Sequence, residues 1–320
     1  MNNNNYFDSN NYILKTNKIK LRNEVDRYGF SYQLAKKIGF QKPPRAFCGW
    51  SHGWAFYKPV SFVDLYYTSG ELKNRIVVAT KQLDQFLVSQ GAEKVVAGGL
   101  PFAYINKSNC KRISDSIVFF PPHSGSSTIQ KKAVKSYFEY IYEQEKSFEF
   151  VAVCASGIDY ELFSKYGNHK VKIIYGAESD DSNSLLRIRN IFDTFDFVST
   201  NVMGSHVLYA SYCGCKVSIC GDMYKYTFNE FHAENGFHNN IQQIERFLLY
   251  FSESYIKKRH PHFFVSNPRQ GREFLEWSKI EIGAENILSN QKLIDVLGWS
   301  ISGQIYGYLK GIKRRLFVNL

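Results

Sequence analysis

The sequence lacks most of the signatures that announce a chemistry. No Gly-x-Ser-x-Gly, His-Glu-x-x-His, Gly-x-Gly-x-x-Gly or Gly-Lys-Ser/Thr loop occurs. The serine-hydrolase elbow, the zincin helix, the dinucleotide fingerprint and the P-loop are therefore excluded as readings. Asp-x-Asp, the mark of a metal-held nucleotide sugar, is also absent. Cys213-x-Cys215-x4-Cys220 lacks zinc-ligand spacing, because Cys215 and Cys220 fall along one strand-like run, so no metal site is expected. No apolar run reaches the ~18 residues of a membrane span. The first dozen residues are Asn-rich and carry no apolar signal core, so no secretory leader is expected. Without one, the six cysteines read as reduced, buried thiols of a cytoplasmic protein. Proline numbers only 8, and the sole low-complexity tract is Asn2 to Asn5, so little of the chain reads as linker.

What is present is a two-domain length with unevenly placed charge. The chain has 320 residues, enough for two domains of roughly 150 each. Hydrophobic residues make up 44% and aromatics 16%, so real cores can be buried. The net charge is +11. Residues 13–45 hold nine Lys/Arg against two acids, and residues 296–320 hold four Lys/Arg and no acid. The body between them is nearly neutral. A nucleic-acid groove through the core would need its basic surplus there, so nucleic acid is not an expected partner. Two basic ends instead suit an anionic membrane surface.

Apolar periodicity and turn signals give alternating strands and helices. Strands are expected at Arg45–Trp50, Arg75–Thr80 and Lys94–Ala97, with a helix at Lys81–Ser89. A second series has strands at Ser116–Phe120, Phe148–Ala155, Val171–Tyr175, Phe197–Thr200 and Lys216–Cys220. Helices at 130–145, 159–166, 184–194 and Ser205–Tyr212 separate them. This pattern means parallel sheets covered on both faces, in which ligands sit at the carboxyl ends of the strands. The expected division is 1–111, 112–290 and an amphipathic basic C-terminal helix over 291–320. In that last segment Ile294, Leu297, Ile301, Ile305, Leu309, Ile312 and Leu316 make one stripe, and Gly303, Gly307 and Gly311 a second. The helix can lie on a membrane or close over the body.

Four strand-end loops carry candidate chemistry. Thr200-Asn201-Val202-Met203-Gly204-Ser205-His206 runs from a strand into a helix start. Free N–H groups there favour a phosphate, with Gly204 allowing approach, Ser205 adding a hydroxyl and His206 able to donate. The bland alternative is a plain helix cap. Pro122-His123-Ser124-Gly125-Ser126-Ser127-Thr128 offers Ser124 and Ser126 to a phosphate, or is a capped serine turn. Glu178, in Glu178-Ser179-Asp180-Asp181-Ser182-Asn183, can hold ribose hydroxyls, while its neighbours suit an N-cap. His52, in Trp50-Ser51-His52-Gly53-Trp54, can be a general base beside sugar-stacking rings, or part of an aromatic cluster.

The stretch 171–222, with its acid-bearing loop at Glu178 and its run from Phe195 through Thr200-Asn201 and Gly204-Ser205-His206 to Gly221-Asp222, resembles the donor-binding half of GT-B-type bacterial glycosyltransferases of surface polysaccharide (capsule or lipopolysaccharide) synthesis. The earlier strand into Pro122-His123-Ser124 adds to the match. The resemblance implies two Rossmann-like domains facing across a cleft, the N-terminal one short. It implies a nucleotide-sugar donor held by the second domain and a glycan or lipid-linked acceptor against the first, at the inner membrane face, with no cofactor. A nucleotide-sugar epimerase of the same architecture and a non-catalytic membrane- or nucleic-acid-associated module are the alternative readings.

Overall fold

A computed structural model describes residues 14–122, 128–233 and 240–317. Two separate parallel sheets organise them. The first joins β1 (Cys48–Trp50), β2 (Arg75–Val78) and β3 (Lys94–Ala97) in chain order. Ile76, Val77 and Val78 are all buried, as expected of a parallel strand covered on both faces. Helix α1 (Phe30–Ile38) precedes this sheet. Helix α2 (Lys81–Ser89) makes the crossover from β2 to β3, its start capped by the Thr80 hydroxyl.

The second sheet contains β4 (Ile113–Phe120), β5 (Phe150–Ala155), β6 (Val171–Tyr175), β7 (Phe195–Thr200) and β8 (Lys216–Ile219). Their order is β6-β5-β4-β7-β8, all parallel. Helices α3 (Thr128–Gln144), α4 (Tyr160–Ser164), α5 (Ser184–Thr194) and α6 (Ser205–Tyr212) make the connections. The order reverses between β4 and β7, which makes the gap beyond their carboxyl ends the topological switch point. This is the expected α/β class: two Rossmann-like regions, the first with fewer strands.

The later chain does not stay with the second sheet. After α7 (Phe228–Ala233), helices α8 (Ile241–Tyr250), α9 (Glu253–Arg259) and α10 (Leu275–Glu281) lead back to the first sheet. Leu100 N–H donates to the Ile282 carbonyl at 2.9 Å, and Phe47 N–H to the Leu297 carbonyl at 3.1 Å. One apolar core therefore runs from Trp50 and Phe102 through Leu208 to Ile256 and Leu297. Much of the aromatic excess sits along this seam. Phe102 stacks on Tyr209 with ring centres 4.3 Å apart, Tyr57 on Tyr250 at 4.5 Å, and Trp54 meets Trp277 edge-on at 5.4 Å. Each such pair adds about 0.5–1.5 kcal/mol beyond its burial.

The basic arm also crosses over. Ile19 N–H donates to the Asp180 carbonyl at 2.8 Å, and Ser182 N–H to the Asn17 carbonyl at 3.0 Å. Beneath them lies an ion pair buried on both sides, Arg187 to Asp181 at 2.8 Å. Arg187 also donates to the Leu14 carbonyl at 2.8 Å, and Asn17 N–H to Asp181 at 2.8 Å. Lys18 of the arm pairs with Glu178 and Asp180, so part of the arm's charge is spent internally.

The expected single apolar stripe beyond residue 291 is divided. Helix α11 (Asn290–Leu297) stops at Gly298, which takes a left-handed conformation at φ 69° that only glycine adopts freely. Helix α12 (Ile301–Phe317) then starts afresh. Leu293 and Leu297 of the first are buried, whereas Ile301 and Ile305 of the second are exposed.

Candidate functional site

The site grows from the end of β7. Its last residue, Thr200, is fully buried, and its hydroxyl donates to the Phe120 carbonyl of β4 at 2.6 Å. The same oxygen meets Val202 N–H at 3.2 Å and His206 Nε2 at 3.1 Å. Thr200 therefore shapes the turn from inside. The His206 ring lies flat on Phe120, centres 5.3 Å apart and 4° between planes. Its imidazole faces the sheet end rather than standing in the open.

Asn201 is buried and ties β7 to the end of β8, its Nδ2 donating to the Asp222 carbonyl at 2.9 Å. Its Oδ1 is buried with no hydrogen-bond partner among the described residues. Such an acceptor costs about 1–3 kcal/mol unless a donor reaches it. Gly204 then opens α6 without any side-chain cap. The first N–H groups of a helix have no intrahelical acceptor, and the helix dipole makes that end positive. Phosphate-seeking donors and a hydroxyl-seeking acceptor thus lie a few residues apart at the switch point.

The first half of the molecule reaches the same place. Trp54 N–H donates to Ser205 Oγ at 2.9 Å. Tyr209 OH, one turn along α6, donates to the His52 carbonyl at 3.0 Å. The loop after β1 is therefore held against α6 at two points. Trp54 is further held by its indole N–H, which donates to Glu281 at 2.9 Å.

His52 is only partly buried. Burial pushes its imidazole below the ordinary value, the Glu24 carboxylate pulls it up, and Arg27 opposes that pull. The result is a ring that is neutral at pH 7 and can accept a proton. Its Nδ1 lies 3.7 Å from Glu24 Oε2, and Tyr28 stands beside it with ring centres 5.7 Å apart. Glu24 and Tyr28 belong to the arm. No local pattern links them to His52, so sequence reasoning passed over them. Nor does any local pattern mark Trp54 and Tyr209 as the fasteners of the two loops.

The structure thus gathers Thr200, Asn201, Gly204, Ser205 and His206 with the loop of His52. It does not bring Glu178 to them. Glu178 follows β6, three strand spacings or roughly 14 Å from the end of β7. Its carboxylate is paired with the Lys18 ammonium of the arm. The Ser184 hydroxyl meanwhile bonds its backbone carbonyl at 2.8 Å. The fit is close, because a Cβ on Gly157 would fall 1.5 Å from a Glu178 oxygen. Ser124 and Ser126, with His123, lie outside the described residues. The described strand before them, β4, pairs with β7 as far as Phe120 and Thr200. Among the described residues, no group of three or more His, Cys, Asp or Glu is gathered to hold a metal ion.

No family model matches the sequence, and no curated protein does. Solved structures of low identity resemble it. The UDP-GlcNAc 2-epimerase of Methanocaldococcus jannaschii is 13% identical, with a TM-score of 0.34, covering 71% of this chain and 62% of that one. A variant of S. aureus TarM, in complex with fondaparinux, alpha-GlcNAc-glycerol and UDP, is 12% identical with a TM-score of 0.29, covering 74% and 43%. A further TarM structure is 12% identical with a TM-score of 0.33, covering 83% and 52%. The chain spans less than two thirds of the length of each. At such scores the likeness says nothing about the site, and the fold assignment rests on the strand order itself.

Proposed function

We propose that the chain is a glycosyltransferase that takes a sugar from a nucleotide-sugar donor and passes it to a glycan or lipid-linked acceptor. One observation carries this reading. The uncapped start of α6 lies at the switch point, against the loop of a partly buried, base-competent histidine from the other sheet. A nucleotide sugar presents both a nucleotide phosphate and hydroxyls. The α6 N–H groups and the Ser205 hydroxyl suit the first, and Asn201 Oδ1 suits the second.

When the glycosidic bond to phosphate breaks, negative charge builds on the departing nucleotide phosphate. N–H donors already fixed in place lower that barrier without reorganising. Ser124 and Ser126, which lie outside the described residues, are proposed to add hydroxyls to the phosphate. Thr200 and His206 would hold the turn in shape. His52, backed by Glu24, would take the proton from the acceptor hydroxyl as it attacks. Glu178 would serve the donor only if Lys18 released it.

Calorimetry against CMP, UDP and GDP tests the donor half. One nucleotide is expected to bind, and to bind more weakly to Ser205→Ala. Binding of none of the three would end the proposal. Product analysis with donor alone separates the nearest rival: an epimerase converts the free donor, whereas a transferase needs an acceptor.

A further inference from the structure

The end of the basic arm, far from the C-terminal helix in sequence, meets it in the fold. Helix α12 is seated on the segment that ends the arm. Gln304 Nε2 donates to the Arg45 carbonyl at 2.9 Å and to the Gly298 carbonyl at 2.7 Å. Phe47 lies edge-on to Tyr308, ring centres 5.5 Å apart. A Cβ on Gly307 would fall 2.5 Å from the Phe47 ring, and one on Gly303 would fall 2.9 Å from Gly298 backbone. The glycine stripe is therefore the seated face.

That seating decides where the large side chains go. Ile301 and Ile305 lie two residues before Gly303 and Gly307, about 200° around the helix. They are 84% and 57% exposed, and Leu309 and Ile312, on the same stripe, are 60% and 55% exposed. Tyr306 and Tyr308 stand exposed at the flanks. Nothing among the described residues covers this stripe. A continuous apolar face of this kind on a protein surface marks a contact.

The charge around the stripe selects its partner. Helix α12 contains Lys310, Lys313, Arg314 and Arg315 and no acid. Lys310 and Lys42 are exposed, and so is Arg45 beside the helix start. Lys42, Arg45 and Lys310 take no ion pair among the described residues. The Arg45 guanidinium lies 6.0 Å from the centre of the Phe47 ring that packs on α12. No helix among the described residues is long and apolar enough to cross a membrane. An exposed apolar stripe with tyrosines, on a helix whose sequence carries four cations and no acid, suits a helix lying in the plane of an anionic bilayer surface.

We infer that the exposed Ile301–Ile312 stripe of α12, together with the exposed Arg45 and Lys310, docks this protein on an anionic lipid surface. The inference goes beyond the donor chemistry proposed above and does not depend on it.

Sedimentation with vesicles decides it. Full-length chain is expected to bind phosphatidylcholine vesicles containing phosphatidylglycerol, and to release as salt rises. Pure phosphatidylcholine should hold it far less. Because both side chains are exposed, Ile305→Gln with Leu309→Gln should fold as before. Binding should nevertheless fall more than about tenfold from the lost apolar burial. Replacing Lys310, Lys313, Arg314 and Arg315 by Gln should remove the preference for anionic lipid. Equal binding by the apolar double variant would overturn the inference, as would no binding of the full chain to either vesicle. Sedimentation equilibrium covers the remaining occupant. A dimer that the double variant dissociates, with no vesicle binding, would assign the stripe to a second copy of this chain and also overturn it. Nucleotide binding should be the same in all these variants.

Discussion

Trp54 N–H donates to Ser205 Oγ at 2.9 Å, a bond between residues 151 positions apart. It fastens the loop after β1 to the first turn of α6. The same hydroxyl is thus asked to steady the seam between the two sheets and to face the proposed nucleotide phosphate.

Ser205→Ala should therefore show two effects. The lost bond should cost about 1 kcal/mol of stability, read by urea denaturation. The affinity for the one nucleotide that binds should fall by about tenfold, read by calorimetry. A stability loss with unchanged affinity would leave Ser205 as a fastener alone.

His52→Ala should lower kcat by about 10²–10⁴-fold while nucleotide affinity stays the same. The pH profile gives a finer test. Glu24 raises the imidazole against the lowering by burial. Glu24→Gln should therefore move the acid limb of the profile to lower pH. A limb that stays in place would remove Glu24 from the mechanism.

Arg187 and Asp181 form an ion pair with both side chains buried. Burial alone would raise the Asp181 carboxyl, but N–H bonds from Asn17 and Asn183 and the Arg187 guanidinium outweigh it and hold it low. Arg187→Met would leave that buried carboxylate its N–H bonds but no counter-charge. A loss of about 3–5 kcal/mol is expected in equilibrium unfolding. The arm should loosen with it, which protease cleavage before residue 20 would report.

Stability should also fall in mild acid. His52, His260 and His262 all sit below their ordinary value of 6.5, chiefly through burial. In the unfolded chain these rings take up protons near that value, while the folded chain resists. The unfolded state then binds more protons, so stability declines as pH drops below it and is unaffected above it. Asp26 and Asp181 are held below their ordinary 3.8, so their loss comes only at lower pH. Denaturation midpoints at about pH 8 and about pH 5 should differ. His260→Gln, at the most buried of the three rings, should narrow the gap.

The elements themselves were legible in the sequence. The expected bounds for Lys81–Ser89, Lys94–Ala97, Val171–Tyr175 and Ser205–Tyr212 match the structure. Continuous β-branched runs and helix starts are local signals, set within a few residues by sterics and backbone hydrogen bonding. The clustering of residues 200–206 follows for the same reason, since they share one turn.

Partnerships across the chain were not legible. Glu178 was expected to face a ribose, but Lys18 reaches it from 160 residues away. His52 was found as a loop histidine, while its backing by Glu24 depends on where the arm crosses. The stripe beyond residue 291 was read as one, because periodicity continues through Gly298. Only packing shows that the chain breaks there, with one part buried and the other exposed. The basic ends were likewise visible as composition, and the meeting of the arm's end with α12 beside Phe47 was not. Local pattern determined which strands, helices and helix starts this protein has. Tertiary structure alone decided which charges are spent on the fold, which side of α12 is seated, and which loop faces the start of α6. Such choices depend on which distant surfaces bury each other, and no short stretch of sequence contains that information.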